Sequence, residues 1–165
     1  MTVRTILQLP DKRLRSPCED VTEVTDDVRA IWQDMIDTMD AMPGVGLGAP
    51  QIGVMLRLAV VDTSEARDKR IRLANPEVID ASAIMNVHEE ASPCLPGVSA
   101  KVSRPRGVRV KYLDETGASV ERDFVGLDAT SVQHQIDHLA GKLYFDRLSK
   151  VKRDMLLRRA RKMKG

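Results

Sequence analysis

His134 and His138 lie four residues apart in the segment 133–138 (QHQIDH). On a helix that spacing projects both imidazoles from one face, so the pair can bind a single metal ion. Metal-hydrolysing helices of this kind usually read H-E-x-x-H, where the Glu takes a proton from metal-bound water. Here the Glu position is Gln135. Its amide has no basic site near neutral pH, so it can orient a water but cannot accept its proton. Taken alone, two His at this spacing are a weak signal and more often a structural or surface pair.

The elements that must hold these residues follow from patterning. Thr25 can N-cap a helix opening with Asp26 and Asp27, where negative charge suits the helix N-terminus. Val28, Ile31, Trp32, Met35, Met39 and Met42 then recur at helical spacing until Pro43-Gly44 ends the run. This Met stripe reads as core packing. Segment 44–53 (GVGLGAPQIG) is too glycine-rich for a helix and reads as a loop or strand edge that brings backbone close to something. Residues 57–62 form a short apolar strand, and Asn75-Pro76 marks a turn. Segments 108–113 and 120–125 alternate around Asp114-Glu-Thr-Gly117 and predict an antiparallel hairpin. Asp128 or Thr130 can cap the following helix, and Gly141 suits its C-terminal stop. From Lys150, the side chains Val151, Met155, Leu156 and Met163 fall among charges, predicting an amphipathic helix over 150–165.

With 165 residues, 42% apolar and 30% charged, the chain suits one globular domain spanning 1–165. No run of about 18 apolar residues predicts a membrane span. The start (MTVRTILQLPDKRLRS) lacks a signal-peptide pattern. Cys18 and Cys94 are too few for a disulfide framework, which points to the cytoplasm. The net charge of +2 conceals an asymmetry: residues 150–165 carry eight Lys or Arg against Asp154, a tail of +7 on a body of −5. A basic tail on an acidic body fits a polyanion such as RNA, or a solvated helix.

Segments 44–51 (GVGLGAPQ), 90–97 (EASPCLPG) and 133–143 (QHQIDHLAGKL) together resemble the three signature motifs of the peptide deformylases, in the family's order and spacing. The likeness extends to ILQLPDKRLR near the start, to Asn75-Pro76 and to YFDR at 144–147, and so covers nearly the whole chain. It implies an α+β fold with antiparallel strands packed around the HxxxH helix. It also implies removal of the formyl group from N-terminal formylmethionine, with one divalent transition metal (Fe2+ or Zn2+) held by a Cys and two His. By this resemblance His134 and His138 match the His ligands. Gln51 matches the amide that steadies the formyl oxygen, and Glu90 opens the second motif. Gly46 and Leu47 match backbone that pairs with the substrate peptide as an added strand. The expected partners are peptide N-termini, formylated ones included, and ribosomal RNA through the basic C-terminal helix.

The chain departs from the pattern at three positions. Ser92 stands at the metal-cysteine position, and a protonated hydroxyl is a far poorer ligand than a thiolate. Pro93 stands where a backbone N–H should hold the formyl oxyanion, and proline has none. Gln135 replaces the general base. Cys94, two positions after Ser92, is either a substitute ligand or a small buried side chain. The pocket that the family uses for the methionine side chain offers His88, Thr130 and Ser131 beside Val45, more polar than an apolar pocket requires. The resulting expectation is a deformylase-like protein with weak or no deformylase activity that acts by binding. The alternative is a metal-dependent hydrolase of N-formyl or N-acyl peptides with Cys94 in a rearranged metal site.

Overall fold

The computed structural model describes residues 2–164. Thr25 accepts a hydrogen bond from the Val28 N–H (3.3 Å) and starts helix α1 (Asp26–Ala41), as its cap chemistry predicts. Trp32, Met35, Ile36 and Met39 on its inner face are fully buried, so the Met stripe is core. The glycine-rich segment becomes a three-residue strand, β1 (Gly46–Gly48), followed by a 3-10 turn over Ala49–Ile52. Strand β2 (Leu58–Val61) is buried on both faces: Leu58 and Val60 pack towards α1, while Ala59 and Val61 join the opposite cluster.

Strands β3 (Ile71–Ala81), β6 (Gly107–Leu113) and β7 (Ser119–Val125) complete a five-stranded antiparallel sheet in the order β1-β2-β3-β6-β7. Strands β4 (Met85–Glu90) and β5 (Ala100–Pro105) form a separate two-stranded ribbon. The predicted hairpin is in place, with Leu113 opposite Ser119 and Val108 opposite Phe124. Helix α2 (Gly126–Leu139) packs against β1, β2 and β7. It stops at Ala140, and Gly141 follows at φ 77, where an added Cβ would lie 2.7 Å from the Arg15 carbonyl oxygen. Helix α3 (Lys150–Lys164) closes the chain. No helix among the described residues is long and apolar enough to cross a membrane.

Three expectations are corrected. Asn75-Pro76 is not a turn but an irregularity inside β3, where the register shifts between Ala74 and Glu77. Asn75 sits at φ 52 there, held by two hydrogen bonds with the backbone of Val21 (2.7 and 2.9 Å). The α2 cap is Val125, with no side-chain cap bond. Asp128 instead accepts from the Thr63 hydroxyl, and Thr130 bonds His88. Among the described side chains of α3, Leu156 and Ala160 alone are buried; Val151, Met155 and Met163 face solvent. The strands β4 and β5 carried no clear alternation in the sequence. Met85 and Val87 are exposed while the polar Glu90 and Arg104 are buried, the reverse of the usual pattern.

Candidate active site: a histidine pair on a buried helix

Helix α2 is enclosed on most sides, so its polar residues must find partners or line a cavity. His134 and His138 project from one face with their Nε2 atoms 3.2 Å apart. Two nitrogens bound tetrahedrally to one ion at about 2.0–2.1 Å would stand about 3.3–3.4 Å apart. The pair is therefore already spaced for a shared cation. Burial, and next the neighbouring His134, push the His138 pKa well below the ordinary histidine value, so its ring is neutral and can offer a lone pair. The Tyr144 ring stacks on His134 at 5.8 Å. Its buried hydroxyl has no hydrogen-bond partner among the described residues, and burial followed by repulsion from Glu90 raises its pKa to about 12.

His134 is oriented from behind. Its Nδ1 bonds the Glu90 carboxylate (2.8 Å), which leaves Nε2 to face His138. Arg104, almost wholly buried on β5, clamps the two Glu90 oxygens at 2.7 and 2.9 Å. A third guanidinium nitrogen of Arg104 reaches Asp137 of α2 at 2.9 Å, and Arg147 holds the same Asp137 at 2.8 and 3.1 Å. Burial raises both carboxyl pKa values. Hydrogen bonds outweigh it, from His134 and Arg104 on Glu90 and from Arg147 and Arg104 on Asp137, and hold both below the ordinary range. Glu90, the acid that opens the second motif, thus lines the cavity with both oxygens engaged inside the protein. Arg104 and Asp137 were not singled out from the sequence, because a lone Arg in a short strand carries no mark of burial.

The loop after β4 explains the fate of the second motif. Ser92–Leu95 is a β-turn closed by the Leu95 N–H on the Ser92 carbonyl (3.0 Å), with Pro93 at the second position that such turns favour. The Ser92 hydroxyl accepts from the Cys94 N–H (3.2 Å), so it is tied within its own turn. Cys94 is fully buried, and Gln51 Nε2 points at its sulfur (3.5 Å). Burial raises the thiol pKa, against the hydrogen bonds from Ser92 and Gln51, so it is protonated at neutral pH. Gln51 Oε1 meanwhile accepts from the Gly48 N–H (2.8 Å). Among the described residues no set of three or more His, Cys, Asp or Glu is grouped to hold a metal ion. The structure therefore does not bring Cys94 to the histidine pair as a substitute ligand. The two imidazoles fit a Zn2+ or Fe2+ ion, but the remaining residues do not complete a set of one cysteine and two histidines around it.

A cavity of about 500 Å3 opens beside the pair. Thr130, Ser131, His134 and Gln135 of α2 form one wall, and Ser92 and Pro93 lie at another. Gln135 is buried and its Oε1 has no hydrogen-bond partner among the described residues. Its Nε2 lies so close to β1 that a Cβ on Gly46 would come within 2.6 Å, so a side chain there would displace the Gln135 amide. Val45 is exposed at the cavity mouth, and its carbonyl accepts from Ser131 Oγ (3.1 Å) and the Asp62 N–H (3.0 Å). Gly46 and Leu47 pair with β2 on one side only, since β1 is the edge strand of its sheet. His88 is half-buried on β4 and bonds the Thr130 hydroxyl from behind.

Comparison with known proteins agrees with this geometry. The family model for polypeptide deformylase matches residues 3–154. A peptide deformylase of Rhodopseudomonas palustris (strain TIE-1) is 43% identical over 98% of this chain and 95% of its own length. A "peptide deformylase-like" protein of Bradyrhizobium diazoefficiens is 40% identical over 99% of this chain and 95% of its own. Among solved structures, a peptide deformylase from Legionella pneumophila superposes with TM-score 0.90 at 42% identity, covering 98% of this chain and 95% of that one. The Ehrlichia chaffeensis peptide deformylase in complex with actinonin gives TM-score 0.91 at 34% identity over 99% of this chain and 98% of that one. The match runs through all three motif segments and the fold around the histidine pair, and on that ground the chain belongs to the polypeptide deformylase family.

Proposed function

We propose that this chain binds peptide N-termini, N-formylated ones included, in the cavity beside His134 and His138, and that it hydrolyses N-formyl groups weakly or not at all. The observation that carries the reading is Gln135, a buried carboxamide in the cavity wall at the general-base position. An amide cannot take up a proton there, and loss of general-base catalysis costs about 10²–10⁴ in rate. Pro93 removes a backbone donor, worth about 10²–10³ where it serves an oxyanion. The two losses fall on one reacting centre and need not multiply. Binding asks less of the site. The open edge of β1 can accept an extended peptide through main-chain hydrogen bonds, and the unpartnered Gln135 Oε1 can accept from a peptide N–H.

The test is turnover and binding measured side by side. Supplied with Zn2+ or Fe2+, the chain is expected to bind members of an N-formyl tripeptide panel by calorimetry. Turnover should run about 10²-fold or more below the Legionella relative assayed in parallel. Adding Ser92→Cys, Pro93→Leu and Gln135→Glu together should raise that turnover. The 3.2 Å histidine pair favours the other reading, a working metal-dependent hydrolase of N-formyl or N-acyl peptides. Turnover within about tenfold of the relative would establish it and overturn ours. For the exposed basic face of α3 the fitting partner is ribosomal RNA. Ribosome co-sedimentation that weakens with salt and is lost in Arg158→Glu/Arg161→Glu/Lys162→Glu is the expected result; unchanged co-sedimentation of the triple variant removes the idea.

A further inference from the structure

Helix α3 touches the wall of the cavity from outside at three places. Leu156 and Ala160 are buried in one cluster with Leu95 and Tyr144. Leu95 closes the turn whose Ser92 and Pro93 line the cavity, and Tyr144 stacks on His134, which lines it too. Leu156, Ala160 and Met163 recur at i, i+4 and i+7, which is one face of a helix. Met163 there reaches Gly97, a residue of the cavity wall at φ 88. A Cβ added to Gly97 would stand 3.1 Å from Met163 Cε, 3.3 Å from its Cγ and 3.4 Å from its Cβ. The methionine thus lies along bare backbone.

This attachment is shallow. Met163 remains 67% exposed, and Leu156 and Ala160 are the buried side chains among those described on α3. The charge of the helix's own end works against it. Residues 158–162 (RRARK) carry four cations in little more than one turn. Arg158 and Lys162 stand at i,i+4, and Arg158–Arg161 and Arg159–Lys162 at i,i+3, spacings at which like charges destabilise a helix. The helix dipole favours cations at this end and offsets part of the repulsion. Asp154, the one acid of segment 150–165, pairs with Lys150 (2.8 Å) towards the opposite end. A helix end held by so few contacts opens at a lower free-energy cost than the core.

We propose that the second half of α3 is a clasp on the cavity: a bound peptide steadies the 96–98 wall and His134, and through Met163, Leu95 and Tyr144 it closes the helix onto the body. Filling of the cavity and closing of the helix then favour one another by the same factor. The inference rests on the reading of the cavity as a site for peptide N-termini. It is tested by hydrogen exchange with the tightest binder of the N-formyl tripeptide panel. At saturation that peptide should slow amide exchange over residues 156–163 about fivefold, the low end of ordinary coupling between sites. Met163→Ser removes the seat on Gly97 and keeps every cation, so it should abolish most of the slowing. Met155→Ser, on the exposed side of the same helix, should leave it intact. Leu156→Ala with Met163→Ser undocks the helix and should weaken the peptide by up to about fivefold. Exchange in α3 that the peptide leaves unchanged overturns this inference alone, and so does full slowing in Met163→Ser. A double variant with an open α3 and undiminished peptide affinity does the same. Failure of every peptide to bind the wild-type chain removes the inference together with the peptide-binding reading.

Discussion

Helices α2 and α3 have 14 and 15 residues, and both carry several charged or polar side chains, but the fold treats them in opposite ways. In α2 most residues are buried, and each polar one is bonded inside the protein or lines the cavity. Among the described side chains of α3, Leu156 and Ala160 alone are buried, and most of its cations lie in solvent. An arginine accordingly means different things in the two places. Arg104, packed against α2, is the structural centre of a Glu90–Asp137 clamp, while Arg158 on α3 contributes charge to a surface. Charge in a sequence becomes structure only where burial removes water as the alternative partner.

The sharpest way to break this contrast is Arg104→Met, which strips the clamp of its shared cation and leaves two buried carboxylates behind. A loss of about 3–5 kcal/mol is expected by chemical denaturation. The pH dependence of that loss tests its cause. Glu90 and Asp137 have folded pKa values below their ordinary 4.5 and 3.8, so their contribution is complete above those values and is lost as pH falls through the lower folded ones. Wild-type stability should therefore decline in acid. In Arg104→Met the buried Glu90 gains from protonation, so the gap between the two proteins should narrow as pH drops. A constant gap would mean that the arginine acts through packing alone.

A smaller effect, about 2 kcal/mol, is expected from Leu156→Ala, the low end for a leucine in a thin contact. Hydrogen exchange should report it as faster opening of α3, with α2 protection kept; loss of protection in both helices would show that they unfold as one unit. Smallest of all, Val151→Ser with Met155→Ser should change stability by no more than about 0.5 kcal/mol, because both side chains already face water. A larger loss would show that α3 buries more than Leu156 and Ala160.

The same contrast separates what was legible in the sequence from what was not. Helix α1 was readable because Thr25, Asp26 and the Met spacing all act within a few turns of chain. The β6–β7 hairpin was readable because its turn and its alternation are contiguous. The α3 periodicity was legible as an amphipathic helix, but of the four apolar residues that marked it Leu156 alone is buried. Leu156 and Ala160 join a cluster with Leu95, Val102 and Phe145, and Leu157 packs against it, so a different set from the marked one faces the body. Asn75-Pro76 was read as a turn because local propensity ignores the distant Val21 backbone that stabilises Asn75 within β3.

For the site, the sequence by itself determined that His134 and His138 share one face, since helical period is a local property, and which functional groups stand at 92, 93 and 135. The tertiary structure alone decided that Cys94 turns to Gln51 rather than to the histidines, that Arg104 locks Glu90 and Asp137, and that His88 stands behind Thr130. These contacts join residues 43, 14, 33 and 42 positions apart. Over such separations the pattern of residue types says nothing about side-chain direction. The packing of β4 and β5 against α2 sets it, and with it the polarity of the cavity.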